Sequence, residues 1–278
     1  EQTDRFYNQF IDPANPDAAI KYDSVQASVG WFRNTLNRGV FPSDGSSQRA
    51  SVSVTTPNSD VQYFKSTIDT KFYFPLTRNQ RWTVLARARL GYGNGYGDVD
   101  GVEQMLPFTE NFTAGGSDTL RGFENNTVGP RGIQRISQGT ITTPDGTVIP
   151  GLPINDTLFS SRRSLGGNAL ALAGLELIVP TPFIETEFDK SVRTSLFFDV
   201  GNVWDTEFDY DEFKDLSLSA TSDELLDYSD WKLFRSSAGL SVQWISPMGP
   251  MVFSFSKAVK QRAGDDAKFF TFNIGQTF

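Results

Sequence analysis

The stretch Trp82–Tyr92, "WTVLARARLGY", alternates apolar and polar side chains over most of its length. Its even-numbered residues are all apolar or aromatic, whereas Arg87 and Arg89 lie among the odd-numbered ones. A period of two predicts a β-strand, because successive side chains of a strand point to opposite faces of a sheet. We therefore expect this segment to be a strand whose two faces meet different surroundings.

The same alternation recurs along the chain and predicts about nine strands in all. No apolar run approaches the roughly 18–20 residues that a membrane-spanning helix needs. The eight further segments are Val25–Trp31, Arg49–Thr55, Phe64–Phe74, Ala169–Leu177, Arg193–Gly201, Ser237–Trp244, Phe253–Ser256 and Phe270–Phe278.

The composition narrows the possible functions. The 278 residues include no cysteine and no histidine, which excludes Cys/His metal sites, cysteine nucleophiles and histidine-based triads. The net charge of -8 argues against nucleic acid as a partner, because such proteins concentrate Lys and Arg. We therefore expect no site of these kinds and no nucleic-acid partner. We further predict that the protein is not an enzyme and uses no metal or cofactor.

Two all-β architectures fit the alternation: a soluble sandwich, and an antiparallel transmembrane β-barrel. Several strands have the 9–11 or so residues of a tilted bilayer-spanning strand, aromatic residues gather near strand ends, and charged residues lie within strands. Short and long connections also alternate, as they do in such barrels. The short ones are Pro75–Gln80, Val179–Lys190 and Ser246–Pro250, and the long ones are Gly93–Asn168, Asn202–Trp231 and Lys257–Lys268. These features favour the barrel.

Three stretches resemble catalytic or ligand-binding motifs without their context. Gly91–Asp98, "GYGNGYGD", lacks the βαβ setting of a phosphate-binding loop and reads better as a strand that runs into a loop. Asp205–Asp215, "DTEFDYDEFKD", lacks EF-hand spacing and reads as a solvated acidic loop. Glu176 and Asp199 are conceivable as a glycosidase pair, but a basic partner explains them more simply.

The motif Leu120–Phe123, "LRGF", lies in the longest loop, which is either flexible outside the barrel or folded into it. Glu176 and Asp199 fall on the polar faces of consecutive strands, so both are expected on one inner wall. Two adjacent carboxylates favour a cation, and the guanidinium of Arg121 can fork between them. The alternative is an exposed loop in which Arg121 pairs only transiently.

The other residues of the motif suit docking. Gly122 allows a tight backbone turn, and Phe123 can anchor the loop against apolar atoms of the wall.

At this point the residues resemble the BamA family, the central subunits of outer-membrane β-barrel assembly machineries. Glu110–Pro130 is similar to the loop-6 segment of that family with its [VI]-R-G-F motif, and Leu120 occupies the aliphatic position. Further similar segments are Leu36–Ser46, Gly166–Phe183, Arg193–Asp205, Ser237–Phe255 and Phe270–Phe278.

The resemblance implies a fold. Residues 1–278 would be the C-terminal part of a sixteen-stranded barrel, about nine strands, with loop 6 at about residues 93–168 folded into the lumen and with the POTRA domains and first barrel strands absent. The implied site comprises the motif residues Leu120, Arg121, Gly122 and Phe123, their partners Glu176 and Asp199, and the C-terminal strand residues Phe270, Phe272, Ile274, Gly275 and Phe278.

The resemblance also implies a function, which is folding and inserting other proteins into the bacterial outer membrane without covalent chemistry. A weak seam, local bilayer thinning and pairing of client strands with an exposed edge would bring this about. The implied partners are unfolded outer-membrane proteins, accessory lipoproteins and outer-membrane lipid. A two-partner-secretion transporter, which shares the R-G-F loop, and a passive porin remain alternatives.

The strand count has a consequence for closure. In an antiparallel sheet of nine strands the two edge strands run in the same direction, so they cannot pair antiparallel. Unpaired edges in lipid cost several kcal/mol for each unsatisfied backbone group. We therefore expect this chain to pair edge-to-edge with a second copy, to rely on detergent, or to belong to a longer chain.

Overall fold

The computed structural model describes residues 22–99, 101–136, 141–142, 148–149, 157–181, 191–208, 227–262 and 264–274. These residues form fifteen strands and two single-turn 3-10 helices, and none of the described helices is long and apolar enough to cross a membrane. The strands are β1 (Gln26–Asn34), β2 (Gly45–Thr55), β3 (Tyr63–Pro75), β4 (Thr83–Gly95), β5 (Asp98–Val99), β6 (Val102–Glu103), β7 (Arg131–Ile136), β8 (Ile141–Thr142), β9 (Val148–Ile149), β10 (Thr157–Ser164), β11 (Ala169–Val179), β12 (Val192–Trp204), β13 (Arg235–Ser246), β14 (Gly249–Lys260) and β15 (Phe270–Ile274). The 3-10 turns are Phe108–Glu110 and Trp231–Leu233.

Nine of the described strands form one antiparallel sheet in the order β1-β2-β3-β4-β11-β12-β13-β14-β15. Each predicted strand is present, so the all-β prediction is confirmed. The sheet is open within the described residues, with β1 at one edge and β15 at the other. Because nine antiparallel strands alternate in direction, these two edges run the same way and cannot pair antiparallel with each other.

The register separates two faces of the sheet. Gly174 of β11 pairs with Arg87 of β4 on one side and with Asp199 of β12 on the other. We call the face that carries Arg87, Glu176 and Asp199 the inner face, and the opposite one the outer face.

The outer face is apolar and exposed from one edge of the sheet to the other. A soluble sandwich would bury this face against a second sheet, whereas lipid leaves it without a protein partner. The odd-numbered Arg87 and Arg89 of β4 lie inward, as predicted, and both make ion pairs there. Exposed outer-face residues are Val29, Val52, Ile68, Leu90, Leu175, Leu196, Phe255 and Phe272.

The long loop between β4 and β11 folds onto the inner face, as predicted. It contains three small antiparallel pairs, β5 with β6, β7 with β10, and β8 with β9. The sequence predicted turns here and gave no indication of these pairs. Four of the six strands, β5, β6, β8 and β9, have two residues each and are too short to show an alternation. Part of this loop packs against β11 and β12 and carries the LRGF motif.

Candidate functional site

The LRGF motif (Leu120–Phe123) is held at the wall by its two apolar residues. Leu120 and Phe123 are fully buried in a cluster with Leu170 and Leu172 of β11 and Val203 of β12. Burying two such side chains stabilises the docked loop by about 1.5–3 kcal/mol each. The loop backbone reverses through glycines with left-handed φ angles, of which Gly122 has φ 88°.

Arg121 forks between the two predicted carboxylates. Its Nε donates to Asp199 Oδ2 at 2.7 Å, and its Nη2 donates to Asp199 Oδ1 at 2.9 Å. The same Nη2 lies 2.7 Å from Glu176 Oε1, and all three side chains are buried. A bidentate guanidinium–carboxylate contact fixes direction as well as distance. The structure therefore brings Arg121, Glu176 and Asp199 together.

Further groups surround this guanidinium. The Cζ of Arg121 lies 3.6 Å from the centre of the Phe197 ring, which places the cation over an aromatic face. Ser195 Oγ donates to Glu176 Oε2 at 3.0 Å, and Ser237 Oγ donates to the backbone carbonyl of Arg121. These contacts satisfy groups that would be costly to bury alone.

Arg121 stays charged despite its burial. Desolvation lowers the pKa of its guanidinium, but the attraction of Glu176 and Asp199 outweighs that effect and raises the pKa above its ordinary value. The guanidinium of Arg121 therefore stays positively charged around neutral pH.

A second arginine shares Asp199. Arg87 Nη2 lies 2.8 Å from Asp199 Oδ2, so this carboxylate bridges an arginine of the wall and an arginine of the loop. Gly174 makes the arrangement possible: a Cβ at this position would lie 2.6 Å from Asp199 Oδ1 and 2.7 Å from Arg87 Nε. The residue type at 174 is therefore dictated by the ion cluster above it.

Sequence reasoning missed two of these residues. Phe197 lies on the inner face of β12, between the polar residues Ser195 and Asp199. An aromatic residue at such a position was a signal that a guanidinium packs on this face. Arg87 was assigned to the inner face without a partner. Its register with Gly174 and Asp199 depends on pairing across the 73 residues of the long loop, from 96 to 168.

The predicted C-terminal strand residues lie elsewhere in the sheet. Phe270, Phe272 and Ile274 are exposed on the outer face of β15, whereas Gly275 and Phe278 lie outside the described residues. β15 nevertheless meets the loop on its inner face, where Asn273 Nδ2 donates to Ser117 Oγ at 2.5 Å. The long loop therefore contacts both the middle of the sheet and its last described strand.

The other two candidate stretches, as far as the structure describes them, show no metal site. Gly91–Gly95 belong to β4, in agreement with the interpretation as a strand that runs into a loop. Of the acidic stretch Asp205–Asp215, only residues 205–208 are described. In the described part of the chain, no group of three or more Asp or Glu side chains is arranged to hold a metal ion.

Comparison with known proteins agrees with this geometry. The whole chain, residues 1–278, matches the Omp85 superfamily domain. It is 30% identical over 271 residues to a protein of Neisseria meningitidis serogroup B named outer membrane protein assembly factor BamA, which covers 94% of this chain and 30% of that protein. A protein of the same name from Nitratidesulfovibrio vulgaris is 26% identical over 224 residues, covering 79% of this chain and 21% of that protein. The chain thus spans less than a third of the length of these curated relatives.

A solved structure shares the fold. The crystal structure of BamA from Haemophilus ducreyi lacking POTRA domains 1-3 superposes with a TM-score of 0.76 at 33% identity, over 98% of this chain and 46% of that chain. The chain therefore belongs to the Omp85 superfamily, and its sheet lies in the bacterial outer membrane.

Proposed function

We propose that this chain is the C-terminal part of the barrel of an outer-membrane protein assembly factor, which folds and inserts other β-barrel proteins into the outer membrane. The observation that carries the proposal is the buried fork of Arg121 between Glu176 and Asp199. This fork holds a long loop against the inner face of the sheet. A passive pore would gain nothing from a loop fixed in its lumen. The names of the matched relatives support the same role.

The edge strand β15 supplies a mechanism. Its described residues Phe270–Ile274 pair with β14 on one side, and the other edge of β15 has no partner strand among the described residues. Unsatisfied backbone groups in lipid cost several kcal/mol each, so a client strand that pairs with this edge is stabilised by main-chain hydrogen bonds. The exposed Phe270, Phe272 and Ile274 face the lipid beside that edge.

In this proposal the LRGF motif is structural and the chain catalyses no covalent reaction. The motif stiffens β11 and β12 so that strain during client insertion falls on the weaker strand pairs near the edge. The chain uses no cofactor. Its partners are unfolded outer-membrane proteins, accessory lipoproteins and outer-membrane lipid, and the described chain by itself can pair edge-to-edge with a second copy.

The test is an assembly assay with the full-length parent protein in liposomes. We expect the parent to accelerate folding of an added outer-membrane protein, and Arg121→Glu to abolish most of that acceleration. Adding Asp199→Arg should restore part of it, because the charges are exchanged rather than removed. Stable, large open-pore conductance without acceleration of folding would instead identify a porin, and translocation of a soluble protein would identify a secretion transporter.

A further inference from the structure

A second buried arginine lies near the LRGF motif and belongs to a different contact. Arg235, the first residue of β13, is fully buried, and its Nε and Nη2 donate to the two oxygens of Asp265 at 2.9 and 3.1 Å. Its Nη1 donates to Asn202 Oδ1 of β12 at 2.8 Å. The pair is bidentate, so it fixes the orientation of the Asp265 carboxylate as well as its distance from the guanidinium.

Asp265 lies in the last loop, which we define as the described residues 261–262 and 264–269 between β14 and β15. Its Oδ2 also accepts a hydrogen bond from the backbone N–H of Arg262 at 2.7 Å, and its own N–H donates to the carbonyl of Arg262 at 3.0 Å. The carboxylate therefore closes a turn within the last loop and at the same time binds that turn to Arg235. By binding Asp265, Arg235 therefore also fixes the turn that this carboxylate closes.

The last loop in turn pairs with the LRGF motif through the backbone. Phe123 and Ala267 form an antiparallel bridge. Glu124 N donates to the carbonyl of Asp266 at 2.8 Å, and Lys268 N donates to the carbonyl of Gly122 at 3.0 Å. Through these two hydrogen bonds the last loop pairs with the docked LRGF segment as a strand would. The same segment of the last loop continues directly into β15.

β15 depends on this attachment more than the inner strands depend on theirs. Among the described residues it shares the register pairs from Met251↔Ile274 to Phe255↔Phe270 with β14, and Ser256 N donates to the carbonyl of Phe269 just before it. β15 has one neighbouring strand in the described sheet, and an edge strand opens locally more readily than a strand that is paired on both sides. The residues that fix its beginning therefore determine how often its edge is available.

We propose that Arg235 is a positioning residue for the edge strand: through Asp265 it holds the last loop against the LRGF motif and so fixes the start of β15. This inference rests on the proposed function, in which β15 pairs with client strands. Arg235 contacts no client. It acts through the last loop, and it couples the edge to the docked loop because the same segment binds both.

The experiment is amide hydrogen exchange of the full-length parent protein in lipid vesicles, without a client. In Arg235→Gln we expect exchange of the β15 amides that pair with β14 to rise about tenfold or more, while β3 amides change by less than about twofold. The matched control is Arg193→Gln, which removes another largely buried arginine of the sheet. Arg193 donates to the carbonyl of Pro42 at 2.7 Å, in the β1–β2 connection and away from the last loop. It should leave β15 exchange near that of the parent.

Two further variants keep the test decisive if Arg235→Gln does not fold. Asp265→Asn changes only the loop partner, and the double variant Arg235→Gln with Asp265→Asn removes both charges of this pair. Each should raise β15 exchange as much as Arg235→Gln does, because all three variants break the contact between residues 235 and 265. Unchanged β15 exchange, or an equal rise in β3 and β15, overturns the proposal.

The outcome is separable from that of the assembly assay. Selective exposure of β15 in a parent protein that fails to accelerate client folding supports the positioning role and contradicts the proposed function. Acceleration by a parent protein whose β15 is unaffected by these variants supports the function and contradicts the positioning role.

Discussion

Two arginine–aspartate pairs on the inner face of the sheet have similarly short contacts but differ in how far they are exposed to solvent. Arg89 Nε lies 2.5 Å from Asp69 Oδ1 between β4 and β3, and the two side chains remain 41% and 37% exposed. Arg121 Nε lies 2.7 Å from Asp199 Oδ2 between the long loop and β12, and the two side chains are 0% and 1% exposed. Distance alone would rank the first pair as the stronger.

Burial reverses that ranking when the two pairs are compared by the stability that is lost on removing one partner. An exposed pair contributes about 0–1 kcal/mol, because water and salt screen it and two flexible side chains must be ordered. A buried pair leaves an uncompensated charge when one member is lost, and that costs about 3–5 kcal/mol. The comparison teaches that the long loop is held where water is excluded, by Leu120 and Phe123 beside the ion cluster.

The sharpest way to break the comparison is to remove each arginine in turn. In the full-length protein, Arg121→Leu should lower the free energy of unfolding by about 3–5 kcal/mol, because Glu176 loses its close ion pair and Asp199 loses one of its two arginines. Urea unfolding in lipid vesicles measures this. A loss no greater than that of Arg89→Leu under the same conditions would contradict the assignment.

The backbone of the motif gives the next effect. Gly122→Ala should destabilise by about 2–3 kcal/mol, since it forces a left-handed φ on alanine and overpacks the wall. The added Cβ would lie 2.9 Å from the Ser237 Cβ. Gly101→Ala is the matched control: Gly101 has a similar φ of 81°, and a Cβ there meets nothing within 4 Å. Equal losses at both positions in urea unfolding would show that packing against the wall is unimportant.

The aromatic platform under Arg121 should contribute less. Phe197→Leu keeps most of the buried volume and removes the ring, so we expect a loss of about 1–2 kcal/mol from the cation–π contact. Phe198→Leu changes the neighbouring, exposed ring on the outer face and serves as the control. Unfolding midpoints of the two variants, compared in the same lipid, decide the point, and identical midpoints would contradict the role of Phe197.

The smallest effect sharpens the comparison from the exposed side. Arg89→Gln should change the free energy of unfolding by less than about 1 kcal/mol, and the difference from the parent should shrink further at high salt. The corresponding difference for Arg121→Leu should be nearly independent of salt, because its partners are buried. Unfolding curves at low and high ionic strength test both statements.

Much of the fold followed from the alternation. In β4 the even-numbered residues and the two odd-numbered arginines could be assigned to opposite faces because lipid and the inner face impose different side chains. The ends of the strands were harder to predict. β4 continues past Tyr92 to Gly95, where Gly93 and Gly95 pack against the long loop at Leu106 and Gln104. Glycines have no side chain to show an alternation.

Part of the site was also predictable. Glu176 and Asp199 share the polar parity of consecutive strands, and Arg121 of the LRGF motif was the partner predicted for them. Phe197 and Arg87 were not assigned to this cluster, and the separate Arg235–Asp265 pair was not predicted. Phe197 breaks the polar parity, and the others depend on contacts between distant segments.

The sequence by itself determined that this protein is built from strands with one apolar and one polar face, because a two-residue period is a local property that each strand carries alone. Only the tertiary structure decided which charges are buried together. Asp199 meets Arg87 through a strand pairing that skips the long loop, and Asp265 meets Arg235 from the other end of a hairpin. Such contacts depend on how loops return to the sheet, and that is settled by packing and exclusion of water, which no local pattern encodes.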